Sequence, residues 1–157
     1  MIINDTVSHS AERQRWLATL ALAPCAVLEQ ALQQTRSAGE LPALTWLRLP
    51  HTGLVMVRAR AGGSGVQFNL GEASVTRCAV QDAAGRIGIG YVRGGNPRHA
   101  ELVALFDLLL QDDGRRADLL GAVIAPLEER RQAAREAASR EAAATRVNFY
   151  TLAREAE

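Results

Sequence analysis

Apolar side chains recur at helical spacing at Trp16, Leu17, Leu20 and Ala23. This predicts a helix over 11–23, with Ser10 as N-cap and Glu12 in its first turn. Pro24 suits the first position of a second helix, whose stripe is Val27, Leu28, Ala31 and Leu32 and which Gly39 ends. From Leu44 the period shortens, and β-rich runs are expected over 44–50, 54–60, 73–82 and 86–93. His51-Thr52-Gly53 and Ala83-Ala84-Gly85 are short enough to be hairpin turns, which makes those joints antiparallel. In the last run Ile87, Ile89 and Tyr91 share one face, and Gly88 and Gly90 the other. A glycine face admits another backbone at close range, from this chain or from another.

Between the second and third runs lies a glycine-rich stretch, 62–78, expected as a long loop in which Gly62, Gly63 and Gly65 supply positive φ. A strand-like run follows it and the chain has no Lys, so a phosphate cradle of the Walker type is disfavoured. The loop is instead expected to present Asn69, Glu72 and Arg77 to a neighbour or ligand. Asn96-Pro97 is a strong helix start. The helix it opens carries Leu102, Val103, Leu105, Phe106, Leu109 and Leu110, an apolar face broad enough to cover a sheet. Asp112-Asp113-Gly114 breaks it, and Leu119, Leu120, Val123 and Ile124 mark a further helix, kinked or restarted at Pro126.

After Leu127 no large apolar residue appears until Val147, and the intervening Ala, Arg and Glu favour helix without supplying a core face. Twenty such residues span roughly 30 Å. They form either a projecting arm tipped by Phe149 and Tyr150, or a helix packed back through its alanines. The pattern predicts an α+β fold: an antiparallel sheet of about four strands covered by helices, with a core domain over 1–125 and a C-terminal helical arm and docking tail over 126–157.

Composition narrows the function more than the fold. At 157 residues the chain can bury a core unaided, and its net charge of +1 argues against a bulk nucleic-acid binder. Cys25 and Cys78 lack metal-ligand spacing and the density of a disulfide scaffold, so neither is expected to have a disulfide partner. The N-terminus lacks the layout of a secretory signal, and no apolar run reaches about 18 residues. A soluble, cytoplasmic protein is expected.

Catalytic signatures are sparse. His51 falls in an expected turn without clustered ligands, and His99 falls in the first turn of a helix beside Arg98 and Glu101. The dipole there favours a neutral, hydrogen-bonding imidazole. No H-E-x-x-H, C-x-x-C or G-x-S-x-G occurs, and the paired carboxylates are sequence neighbours that diverge on a helix. No catalytic residue, no metal site and no cofactor bound by this chain is expected.

The stretch TGLVMVRARAGGSGVQFNLGEASVTRCAV, then GYVRG, RHAELVALFDLLLQ, IAPLEERR and the terminal VNFYTLARE together resemble the PhnG subunit family of the bacterial carbon-phosphorus lyase system, from about Trp16 to Arg154. The resemblance implies a core complex with two copies each of PhnG, PhnH, PhnI and PhnJ. With an ATPase-like accessory protein, that machinery replaces the adenine of MgATP by an alkylphosphonate, MgATP being a substrate of the complex. It also implies that the nucleoside chemistry lies mainly with PhnI. Gly95-Asn96 stands where the family usually has Arg-Asp, Asn148 where it tends to have Asp, and Arg154-Glu155 lacks an intervening glycine.

The expectation is therefore an accessory subunit. Asn69, Glu72, Arg77, Arg98, His99 and Glu101 face a partner or shared site, and Phe149 and Tyr150 anchor the tail. The competing reading is a free-standing enzyme binding a phosphonate or nucleotide through Glu72, Arg77 and His99. An arginine-based nucleic-acid module is the weakest alternative.

Overall fold

One helix is apolar nearly all round, and the rest of the chain is arranged to bury it. The computed structural model describes residues 2–145. In it α1 (Ile2–Leu20) and α2 (Cys25–Ala38) precede strands β1 (Leu44–Arg60), β2 (Gln67–Asp82) and β3 (Ile87–Arg93). Helix α3 (Pro97–Leu110) follows, then α4 (Asp113–Leu119), a π-helical turn (Leu120–Ile124) and α5 (Ala125–Ala144). Every residue of α3 from Leu102 to Leu110 is buried. The sheet covers one side, and α1, α2 and α4 pack on the others. A helix without a polar face must be enclosed, and burying each Leu or Phe contributes roughly 1.5–3 kcal/mol.

The Asn96-Pro97 start is as expected: the Asn96 side chain accepts from His99 N at 3.0 Å, and Pro97 fills the first turn. Gly88 and Gly90 identify the backbone that their face admits. A Cβ at either position would run into the carbonyl oxygens of Ala104 and Ala100, so α3 of this same chain lies directly on β3.

Four expected strand-like runs become three strands, in the antiparallel order β1-β2-β3. His51-Thr52-Gly53 is no hairpin turn. It lies inside β1, with His51 opposite Arg77 and Thr52 opposite Thr76. Irregularities between Trp46 and Arg48 and between Arg48 and His51 take up the extra residues, and Pro50 sits at the second. A bulge tolerates a proline that cannot donate to the ladder, and it can imitate a turn in sequence. Thr52 donates to Thr76 Oγ1 at 2.9 Å, and Thr76 donates to Gly94 O at 2.7 Å, so buried Thr76 pins all three strands together.

The glycine-rich stretch is likewise shorter as a loop than expected. The turn covers only 61–66, with Gly62 and Gly63 at φ 59° and 78°, and β2 begins at Gln67. Asn69 and Glu72 are strand residues opposite Arg58 and Met56. The Ala83-Ala84-Gly85 turn is confirmed, with Gly85 at φ 82°.

In the helices, α1 begins well before Ser10, which is an interior residue and not a cap, and Pro24 is the N-cap of α2, one position before the helix. Asp112 caps α4 by accepting from Gly114 N at 3.0 Å. Pro126 falls in the first turn of α5, where a new helical element opens as expected. The preceding turn widens to a π turn, with Ala125 N donating to Leu120 O, and the rod continues. Among the described residues Leu127 is the last buried one, and 132–145 are exposed.

Candidate interaction surface

β3 pairs only with 75–81 of β2, so the distal parts of β1 and β2 run on as a two-stranded ribbon. Such a ribbon is marginal by itself in water. Here it displays Leu54 (65 % exposed), Met56, Val57, Phe68 and Leu70 (63 %). Among the described residues nothing packs on the side of the sheet away from α3. That side carries Ile87, Ile89 and Tyr91 from β3 at about four-tenths to one-half exposure. Scattered exposed apolar residues are ordinary, whereas a contiguous set on one sheet marks a contact surface.

The six polar candidates do not converge. Asn69 and Glu72 lie on the exposed ribbon, and Arg77 lies at the middle of the open face between His51 and Tyr91. Arg98, His99 and Glu101 lie on α3, across the sheet from Arg77. The trio Glu72, Arg77 and His99 therefore does not form one pocket. Phe149 and Tyr150 fall outside the described residues.

Arg98 and its neighbours form a clasp between helices. Arg98 Nε and Nη2 donate to Glu29 at 2.6 and 3.0 Å, and Nη1 donates to Glu101 at 3.0 Å. These bonds raise the guanidinium's pKa, Glu29 contributing most, and Arg98 in turn holds Glu29 below the usual carboxylate range. His99 Nε2 donates to Leu20 O at 3.1 Å, adding a second bond to a carbonyl at the end of α1 that also accepts from Ala23 N at 3.2 Å. Arg77 differs from these. Its Nε is shut away from solvent without an acceptor.

The feature that sequence reasoning missed is Asp107, fully buried in α3. Its carboxylate accepts from Arg13 Nε and Nη2 at 3.1 and 2.8 Å, from Trp16 Nε1 at 2.8 Å and from Ile89 N at 2.9 Å. A single acid inside the run Ala104-Leu105-Phe106-Asp107-Leu108-Leu109-Leu110 was the available signal, since a buried carboxylate needs partners. The four bonds join α1, α3 and β3.

Cys25 and Cys78 are free thiols, and burial pushes Cys78 up to about 11, with the charge of Glu101 adding to the effect. That thiol is a core group, not a nucleophile. Three surface hollows of about 310 to 390 Å³ lie among the helices, and none is lined by the six candidates. Among the described residues no group of three His, Cys, Asp or Glu could hold a metal, and no helix is long and apolar enough to cross a membrane.

A three-stranded antiparallel sheet covered by helices on one side, uncovered among the described residues on the other, and prolonged into an exposed ribbon defines an α+β domain with a broad available sheet face. A family model described as phosphonate metabolism protein PhnG matches residues 11–155. The alpha-D-ribose 1-methylphosphonate 5-triphosphate synthase subunit PhnG of Rhizobium meliloti (strain 1021) is 39% identical over 153 residues, spanning 94% of this chain and 90% of that relative. The chain belongs to the PhnG family of phosphonate metabolism proteins.

Proposed function

We propose that this chain is an accessory subunit of an alpha-D-ribose 1-methylphosphonate 5-triphosphate synthase, acting in the cytoplasm with PhnH, PhnI and PhnJ. In the reaction assigned to that assembly, a phosphonate oxygen attacks C1′ of MgATP's ribose. The glycosidic C–N bond breaks, and adenine departs with a proton. MgATP is a substrate of the whole assembly, and this chain supplies contact area while the bond-making groups come from its partners. The observation that carries the reading is the end-to-end match to a relative named as a synthase subunit. The apolar sheet face and ribbon support it, being surface that a solitary enzyme has no use for. Residues 126–157 are proposed as an arm and docking tail, with Phe149 and Tyr150 as its anchors.

The test is adenine release from MgATP and methylphosphonate, followed chromatographically with the four co-expressed subunits, with this chain omitted, and with this chain alone. Release by the full set and loss on omission are expected. Release by the isolated chain, or undiminished release without it, overturns the reading. Phe149→Ala with Tyr150→Ala is expected to leave the helical circular dichroism intact and remove the chain from the co-purified complex; unchanged co-purification refutes the tail anchors.

A further inference from the structure

Helix α3 covers one side of the sheet, and among the described residues nothing covers the other. That open side has a definite charge pattern. Arg48 registers with Ala79, Arg77 with His51 and Tyr91, and Arg93 with Val75, so three guanidinium groups share it. None of the three makes an ion pair among the described residues, whereas Arg13, Arg15, Arg86, Arg98, Arg115 and Arg116 all do. The strands carry only two carboxylates. Asp82 is buried and held by Arg86, and Glu72 is out on the ribbon. Ile87, Ile89 and Tyr91 lie exposed alongside the cations.

Resting on the subunit reading above, we infer that this open face seats a partner subunit through an apolar patch that bears carboxylates, one of them bound by Arg77. A second copy of the chain would set arginine against arginine, and like charges brought together oppose docking. A carboxylate suits Arg77 because the planar guanidinium offers paired donors, and Arg77 makes no ion pair among the described residues. The ring of Tyr91 beside it and the flanking isoleucines exclude water from the pair, the setting in which Arg and Tyr act as interface anchors.

Hydrogen exchange of the full chain, free and in the co-expressed complex, tests the face without mutation. Amides of 87–93 are expected to slow at least tenfold on assembly. Arg77→Glu is expected to reduce captured partner at least tenfold, Arg77→Met less so, with a weaker dependence on NaCl. Arg36→Glu, at an exposed position in the last turn of α2, is expected to change nothing. Unaltered exchange over 87–93 in a formed complex, or full capture by Arg77→Glu, overturns the inference. So does a dimer of the isolated chain that Arg77→Glu dissolves, or faster exchange over 87–93 after deletion of 146–157, since each gives the face a different occupant. Failure of the wild type to assemble at all sinks the subunit reading too; assembly with an unprotected face sinks only this one. If Arg77→Glu does not fold, the wild-type exchange decides.

Discussion

Replacing Asp107 by Asn keeps its shape and removes its charge, which isolates what the buried carboxylate does. Oδ1 accepts from Arg13 Nε and Trp16 Nε1, and Oδ2 accepts from Arg13 Nη2 and Ile89 N. Whichever way the amide turns, its NH2 faces two donors, so two hydrogen bonds are lost and two N–H groups lose their acceptor. Removing one member of a buried ion pair costs about 3–5 kcal/mol. Arg13 is one-third exposed and can turn partly to water, which places the expected loss near the lower end, about 3 kcal/mol. With a urea m-value of about 2 kcal/mol/M, the midpoint should fall by about 1.5 M. Tryptophan fluorescence follows the transition, with Trp16 reporting from within the cluster and Trp46 from the exposed part of β1. Arg13→Met leaves the carboxylate with the Trp16 and Ile89 donors and should cost about 1–3 kcal/mol, and the double variant should be less destabilised than the sum of the two. A midpoint shift for Asp107→Asn below about 0.3 M, or strict additivity, would refute the account of Asp107 as the joint between α1, α3 and β3.

Three further outcomes follow from the same structure. Gly90→Ala places a methyl group against Ala100 O and 2.9 Å from Cys78 Sγ; it should destabilise by about 1–3 kcal/mol, and wild-type stability in a urea titration would contradict the close helix–sheet contact. Glu29, Asp112 and Glu128 are held low chiefly by hydrogen bonds from Arg98, Arg86 and Arg15, and in Asp82 the bonds from Arg86 outweigh a burial penalty acting upward. Depressed folded values mean that their stabilisation is complete above the unfolded carboxylate range of about 4 and is lost as pH falls below it; a urea midpoint that rose on acidification through this window would contradict the sign. Cys78 should resist a thiol reagent at pH 8 until the chain unfolds, while partly exposed Cys25 reacts; equal rates would show that Cys78 is not enclosed.

Periodicity revealed most of the helices because their apolar faces repeat over several turns, and the Asn96-Pro97 start carries its own geometry. β1 was harder. Pro50 and Gly53 look like turn residues, yet a bulged strand accommodates them, and only the pairing with β2 shows that the chain runs straight on. The extent of β2 was hidden for a similar reason, since glycines at 62–65 and at 71 bracket a segment that becomes strand through its partner. That Arg98, His99 and Glu101 stand at the start of a helix was legible, but Glu29 and the Leu20 carbonyl, their contacts within the chain, arrive from distant sequence. No local pattern announces them.

The rim of a sheet is where proteins string together into fibres, and β3 is a rim strand. Arg13 and Gln111 each donate to Ile87 O at 2.9 Å, and Asp107 takes Ile89 N, so the first part of that rim is stoppered by side chains from two helices. A nascent chain therefore cannot cover this part of its rim until its first helix has landed on its third. Cohesion of the helices and shielding of this rim from strand addition thus share one buried acid.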